Sequence, residues 1–385
     1  MSLKNKLSIK DVDLKDKRVL IRVDYNVPHI DKKILDNQRI IATLLTIKYA
    51  LEQNPKVIIL ATHLGKPNGK ITKELSLDFI AKELSKLLDQ EVELLPDCIG
   101  PKVEKVINES SKGKIYLLEN LRFHIEEEGF RKYGFKEFAS TRNVEKFRSD
   151  LSKLGDVYIN DAFGTCHREH SSIVGINIKE RASGLLLSKE IEYFEKTLKS
   201  EPARPFLAIV GGGKINDKID SIDSLLDKVD TLLIGGGMSC TFLKVLKNMN
   251  IGHATVEEGI PHFWQVLDIG PKTRELYDSK LSKAQTIIWN GPLGVVKFSS
   301  FAKGTKTIVD SVIKYADMGK KVIIGGGDTA TMVYETGQAD KLDHVATGSG
   351  ATLCILEGRD LPGVTHLSNK ESGDDLVAKI KGLSI

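Results

Sequence analysis

Phe206-Leu-Ala-Ile-Val210 runs straight into Gly211-Gly212-Gly213-Lys214, and the same grammar returns twice. Thr231-Leu-Leu-Ile234 precedes Gly235-Gly236-Gly237-Met238, and Val322-Ile-Ile324 precedes Gly325-Gly326-Gly327-Asp328. A related turn, Gly348-Ser349-Gly350, follows His344-Val-Ala-Thr347. A short apolar, β-branched run reads as a buried strand. Glycine directly after it lets the backbone turn sharply and present its N–H groups to an anion. Several such turns in one half of a chain predict one crevice at the carboxyl ends of a parallel sheet. A nucleotide suits that crevice better than a metal cluster or a nucleic acid.

The alternation extends to both ends. Val19–Val23, Val57–Leu60, Ile115–Leu118 and Val157–Ile159 read as strands of the first half, and Thr286–Trp289 as a further strand of the second. Between them, Asn37–Gln53, Ser76–Leu88 and Val144–Lys153 carry helical periodicity. The pattern predicts an α/β protein of two domains, each a parallel β-sheet flanked by helices in a Rossmann-like three-layer arrangement. Leu185–Leu198, bounded by Gly184 and Pro202, reads as the hinge helix that joins them. The expected domains are residues 1–184 and 185–365, with about 366–385 returning to the first. Residues 129–153, charged and rich in aromatic side chains, read as a surface insertion, and the C-terminal tail as polar with a short amphipathic helix.

Bulk properties narrow the possibilities. A chain of 385 residues exceeds one ordinary core, and 41% hydrophobic with 28% charged residues describes a water-soluble globular protein. A net charge of +4 without a long basic run gives no nucleic-acid footprint. Cys98, Cys166, Cys240 and Cys354 are far apart, a spacing that argues against a zinc knuckle or a disulfide framework. Neither a signal peptide nor a membrane span is expected, and the cytoplasm is the expected compartment.

The loops after the strands differ between the halves. The first half offers Asp24-Tyr25-Asn26, His63-Leu64-Gly65-Lys66, Glu119-Asn120-Leu121-Arg122 and Asp161 through Arg168, with Arg39 at the start of a helix. Guanidinium groups converging at sheet ends form a site for a small polyanion, because they bind carboxylate and phosphate oxygens in pairs. A single arginine would more simply pair with a local carboxylate; four basic loops in register favour the anion site. The second half offers backbone amides, Lys214, Lys218 and Asp328. Four residues apart, the two lysines are expected on one face of a helix that starts at the glycine turn. Asp328 suits magnesium, which takes few protein carboxylates and completes its shell with phosphate and water. Neither G-x-x-x-x-G-K-[ST] nor G-x-G-x-x-G occurs, so a P-loop ATPase and a standard dinucleotide fold lack their motifs.

Six strings together resemble one family: Arg22-Val-Asp-Tyr-Asn-Val-Pro28, Leu118-Glu-Asn-Leu-Arg-Phe-His124, Asn160-Asp-Ala-Phe-Gly-Thr165, Gly237-Met238, Trp289-Asn-Gly-Pro292 and Gly325-Gly-Gly-Asp-Thr-Ala330. They occur in the order found in phosphoglycerate kinases, and the resemblance runs from about Leu14 to Ser368. It implies a glycolytic phosphotransferase that moves a phosphoryl group between 1,3-bisphosphoglycerate and Mg-ADP, giving 3-phosphoglycerate and ATP. It implies a monomer that closes about a hinge, with no nucleic-acid or membrane partner. By matching motif, Asp24, Asn26, Arg39, His63, Lys66, Arg122 and Arg168 hold the phosphoglycerate. Arg39, Lys214, Lys218, Gly348 and Gly350 face the transferring group. Gly212, Gly213, Lys218, Gly237, Leu267, Asn290, Pro292, Val295, Gly327, Asp328 and Thr329 line the nucleotide, with Asp328 on Mg2+.

Departures from the family pattern gather on the nucleotide side. Several dozen residues expected between Gly252 and His253 are missing, which leaves either a rebuilt sheet or residues omitted from the natural chain. Val266 replaces a usual glycine beside the adenine. Lys297 replaces an acidic residue, and an ammonium cannot accept hydrogen bonds from ribose hydroxyls. Ser349 interrupts a glycine triplet, and Lys66 replaces an arginine. The second expectation, carried by these changes, is a catalytically impaired binding protein with a defective nucleotide pocket.

Overall fold

The computed structural model describes residues 3–133, 135–199, 202–247 and 265–370. The chain divides into two compact units, Met1–Glu192 with Asp360–Ile385, and Tyr193–Arg359. The division falls inside the helix Leu185–Lys199.

In the first unit the strands are β1 (Arg18–Arg22), β2 (His29–Ile30), β3 (Lys33–Ile34), β4 (Val57–Ala61), β5 (Val92–Leu94), β6 (Lys114–Leu117), β7 (Phe130–Tyr133), β8 (Phe135–Phe138), β9 (Val157–Asn160) and β10 (Glu180–Ser183). The helices are α1 (Gln38–Glu52), α2 (Asp78–Leu88), α3 (Pro101–Glu109), α4 (Ile125–Glu128), α5 (Thr141–Ser152), α6 (Ser171–Val174) and the first turns of α7 (Leu185–Lys199). A six-stranded parallel sheet runs in the order β10-β9-β1-β4-β6-β5. One face packs Val19, Ile21, Ile58 and Leu60 against Ile40, Ile47 and Ile80; the other packs Leu20, Val57 and Ile59 against Val103, Ile107 and Leu151. Burial on both faces explains why β4 is an unbroken apolar run instead of an alternating one. From β1 the chain builds outward in one direction through β4, then returns to place β9 on β1's other side. Such a reversal leaves a crevice outside the carboxyl ends of β1 and β9.

The second unit holds β11 (Phe206–Val210), β12 (Thr231–Ile234), β13 (Thr286–Asn290), β14 (Lys321–Gly325) and β15 (His344–Val345). Its helices are α8 (Ile219–Leu226), α9 (Ser239–Lys247), α10 (Pro271–Leu281), α11 (Lys303–Asp317), α12 (Gly327–Glu335) and α13 (Ser349–Leu356); α14 (Pro362–Thr365) belongs again to the first unit. The five strands are parallel in the order β12-β11-β13-β14-β15. Here the reversal lies between β11 and β13, where the first glycine triplet and Gly291 emerge. The core on one side is built from Leu207, Ile209, Ile287, Trp289, Ile308 and Val312.

The mixed α/β class with two parallel sheets agrees with the sequence reading. Two short strands, β5 and β10, escape that reading as strands because three or four residues carry little pattern, and Glu180-Arg181-Ala182-Ser183 is polar as suits a sheet edge. The stretch 129–153 is only half a surface insertion. Its β7–β8 hairpin exposes Phe135 and Phe138, whereas α5 buries Phe147 and Leu151. The junction at Gly252 and His253 lies outside the described residues.

Candidate functional site

The first unit gathers charge where β1, β4 and β9 end. Asp24, just past β1, is buried, and its Oδ1 meets Arg39 Nη1 at 3.0 Å. Its Oδ2 accepts a hydrogen bond from the Thr165 hydroxyl at 3.1 Å, and Oδ1 accepts one from the Asn26 N–H at 3.2 Å. Burial opposes ionisation of this carboxyl and is the largest single influence, but the Arg39 guanidinium and further contributions, Arg22 and the Asn26 N–H among them, together outweigh it and hold Asp24 well below the usual carboxylate range. Gly164 is the reason these groups fit: a Cβ there would lie 2.3 Å from Asp24 Oδ2. Asn26 Oδ1 accepts from the Gly65 N–H at 2.9 Å, and Arg122 Nη1 donates to the Gly65 carbonyl at 2.8 Å. Three loops distant in sequence are thereby tied into one cradle.

Beneath the cradle lies Arg22, fully buried at the end of β1. It donates to Ser172 Oγ at 2.8 Å and to the Val23 carbonyl, and Glu127 Oε1 lies 3.8 Å away. Its Nη2 stands 3.2 Å from His63 Nδ1. Arginine can only donate, so His63 Nδ1 accepts and the ring proton sits on Nε2. Burial, with the cations Arg122 and Arg22 nearby, pushes the His63 pKa well below its ordinary value despite Asp24, so the ring is neutral. His170, beside Glu127 and Glu128 at 3.8 and 3.9 Å, is likewise pushed down by burial and then by the surrounding arginines. Lys66 and Arg168 are exposed at the rim.

Sequence reading thus names Asp24, Asn26, Arg39, His63 and Arg122, which the fold brings together, but misses Arg22, Glu127, His170 and Thr165. A charge inside the apolar run Val19–Val23 is the one signal that could have flagged Arg22. Asp161 opens one of the anion loops yet faces elsewhere. Its Oδ1 accepts from the Leu187 N–H at 3.0 Å in the first turn of α7, while Oδ2 is buried without a hydrogen bond. Burial, aided by Glu190, pushes its carboxyl up to about 7.

In the second unit the glycine turns interlock. A Cβ on Gly211 would lie 2.2 Å from the Pro292 carbonyl oxygen, one on Gly291 2.2 Å from the Gly211 oxygen, and one on Gly236 2.5 Å from the Gly212 oxygen. Gly291 and Gly236 also have φ of +95° and +73°. Close backbone approach, rather than turn shape alone, is what the glycines at 211, 236 and 291 provide. The Met238 N–H donates to the Gly212 carbonyl at 3.2 Å. Asn290, buried at the end of β13, contacts Lys218 Nζ and Ser349.

The lysine pair departs from expectation. Lys214 is extended and precedes a 3-10 turn, Ile215–Asp217, and Lys218 ends that turn before α8 begins at Ile219. The two side chains therefore do not share a helical face. The Asn216-Asp217 pair favours a local turn over a helical start. Asp328 and Thr329 stand in the first turn of α12, Asp328 exposed and Thr329 buried with an Oγ1 that has no hydrogen-bond partner. A carboxylate and a hydroxyl at a helix start are hard oxygen donors that fit magnesium. Gly348 caps α13, whose first residues Ser349 and Gly350 leave amides free of the helix. At the far side the Val295 N–H donates to the Leu267 carbonyl at 2.8 Å, Val295 and Lys297 are exposed and Val266 is half-buried.

A family model described as phosphoglycerate kinase matches residues 9–262 and 254–359. Phosphoglycerate kinases of Debaryomyces hansenii and Saccharomyces cerevisiae are each 51% identical over 417 aligned positions, covering 96% of this chain and 100% of theirs. Those 417 positions exceed the 385 residues of the chain, so the relatives carry residues with no counterpart here. A crystal structure of the phosphoglycerate kinase from Pyrococcus horikoshii is similar with a TM-score of 0.80 and 30% identity, covering 94% of this chain and 98% of that one. The Coxiella burnetii enzyme is similar with a TM-score of 0.71 and 32% identity over the same shares.

Proposed function

Because the chain belongs to the phosphoglycerate kinase family, we propose that it catalyses reversible phosphoryl transfer between 1,3-bisphosphoglycerate and ADP, giving 3-phosphoglycerate and ATP. The observation that carries this reading is the pairing of two chemistries: a cradle of cations and neutral donors at the β1/β9 switch point, and interlocked glycine turns at the β11/β13 switch point.

In this reading Arg39, Arg122, Arg168 and Lys66 neutralise the carboxylate and phosphate of phosphoglycerate, while Asn26 and the Nε2–H of His63 orient its uncharged oxygens. Asp24 holds Arg39 in place through the 3.0 Å pair. A neutral His63 donates one directed hydrogen bond, and the tautomer fixed by Arg22 supplies it. On the other unit, Gly212, Gly213, Gly237, Leu267, Asn290, Pro292 and Val295 line the nucleoside, and Lys218, Gly327 and Thr329 meet its phosphates. Lys214 and the amides at Gly348 and Gly350 stand for the charge that develops on the equatorial oxygens in flight. Asp328 would hold Mg2+, which supplies charge neutralisation on the nucleotide phosphates when bound.

An acyl phosphate is already activated, so positioning and charge neutralisation suffice and no covalent intermediate on the protein is needed. Substrates held by separate units have to be brought together, and closure about α7, in a monomer, is the motion we propose. Closure also excludes water as a competing acceptor. Relatives at about half identity support the kinase; nothing in the geometry specifically favours the binding-only reading.

The test is a coupled assay with 3-phosphoglycerate and Mg-ATP, alongside calorimetry of each substrate. Turnover dependent on both substrates and lost on chelating magnesium is the expected outcome. Phosphoglycerate binding with neither ADP binding nor turnover would reject the kinase reading.

A further inference from the structure

Beyond the anion cradle, the loop after β5 and the turn after β6 bring Asp97, Cys98 and His124 together. A carboxylate oxygen, the thiol sulfur and a ring nitrogen all lie within 4.8 Å of one another. Asp97 Oδ1 is 2.7 Å from His124 Nε2 and also accepts the Cys98 N–H at 2.6 Å, so the carboxylate is fixed in orientation. Cys98 is fully buried, whereas the Asp97 and His124 side chains are 45% and 27% exposed. The sulfur therefore forms the floor of a small site, with the oxygen and nitrogen at its mouth. The His124 ring is braced by Phe147, centroids 5.3 Å apart.

We propose that Asp97, Cys98 and His124 form a binding site for a zinc-class divalent cation, with water as the fourth ligand. Thiolate, imidazole and carboxylate together are the donor set zinc favours, and magnesium disfavours the sulfur and nitrogen. The site is thus chemically distinct from the oxygen donors Asp328 and Thr329. Bonds of about 2.0–2.3 Å in a tetrahedron separate neighbouring ligand atoms by roughly 3.3–3.6 Å. The Asp97–His124 contact has to open by several tenths of an ångström, and the two mouth residues are the ones with room to move. The thiol loses its proton as the sulfur–metal bond forms: Cys98–SH and the aqueous dication give Cys98–S–M+ and H+. Asp97, partly exposed at the mouth of the site, offers the proton a way to solvent.

His124 links the 3-10 turn Leu121–Phe123 to α4, the segment that carries Arg122, Glu127 and Glu128. A cation holding His124 to residues 97 and 98 would brace that segment from outside the anion cradle. Without a cation the same three residues make a charge-assisted hydrogen bond above a core thiol, and experiment separates the two.

The full chain, stripped with a chelator and kept free of nucleotide, is titrated with Zn2+ by calorimetry and with Co2+ by absorption. We expect one equivalent of zinc per chain, and tetrahedral cobalt bands with a thiolate-to-cobalt charge-transfer band. Cys98→Ala should abolish that band, and Cys240→Ala should retain it. Asp97→Asn and His124→Gln, at partly exposed positions that leave the core intact, should each weaken zinc by about tenfold or more. Absence of the charge-transfer band in the unmodified protein overturns the proposal. So does its survival in Cys98→Ala, or unchanged zinc affinity in both Asp97→Asn and His124→Gln.

Discussion

At the scale of single residues, the cradle depends on how its members hold one another. Gly164 admits Asp24, and Asp24 holds Arg39. Gly164→Ala would place a methyl group 2.3 Å from Asp24 Oδ2 and force the carboxylate off Arg39. Steady-state kinetics should then show kcat/KM for phosphoglycerate reduced by about tenfold or more, with ADP affinity measured by calorimetry unchanged. Equal losses for both substrates would point to global damage instead. The Arg22–Glu127 pair is buried, so removing one partner strands a charge and costs about 3–5 kcal/mol. For Glu127→Gln we expect lowered thermal stability along with weaker phosphoglycerate binding, read by calorimetry and a melting curve.

Asp161 makes a different prediction. Its carboxyl is raised from 3.8 to about 7, chiefly by burial. Between those values the folded state keeps a proton that the unfolded chain has lost, so stability falls as pH rises through this window and levels off above it. Asp161→Asn cannot ionise and mimics the protonated acid. Chemical unfolding from pH 4.5 to 8 should show the variant gaining on the natural sequence as pH rises, by up to about 4 kcal/mol. Parallel curves would show that Asp161 does not carry the effect.

At the scale of elements, the glycine turns after the strands of the second unit were legible and the fit between turns was not. The runs before Gly211, Gly235 and Gly325 announce strands because a strand buried on both faces has no reason to alternate. That Gly291 lies against the Gly211 oxygen follows from strand order, and no local pattern encodes order. Gly291→Ala combines a 2.2 Å clash with a φ of +95°, and should cost about 1–3 kcal/mol. Gly213 has nothing within 4 Å of its would-be Cβ, so Gly213→Ala should leave the melting temperature unchanged. The lysine pair teaches the converse. Spacing of four residues promised a shared helical face, but an Asn-Asp turn intervenes and separates them.

At the scale of the whole molecule, the chain leaves the first unit and comes back to it. The Leu7 N–H donates to the Ser368 carbonyl, the Ser368 N–H to Arg181 and the Lys370 N–H to Asn5, at 2.8–2.9 Å. Arg181 Nε donates to the His366 carbonyl, and Leu367 is buried. Chains ending after Thr365 and after Lys370 differ by these contacts and by others of the same five residues, among them Lys370 Nζ with Asp11 Oδ2 and Lys6 Nζ with the Leu367 carbonyl, both at 2.9 Å. The shorter should melt at a temperature several degrees lower; identical melting would show that the return adds no stability.

By itself the sequence determined the class of fold, the alternation of elements and the family, because periodic burial and loop glycines are written locally. It also supplied most of the charged groups of the cradle. Only the tertiary structure decided which nitrogen of His63 carries the proton, why residue 164 has no side chain, and that Asp97, Cys98 and His124 meet. Those facts depend on strands far apart in the chain ending side by side, and hydrogen bonds and metal coordination are decided by contacts between such loops, which periodicity does not record.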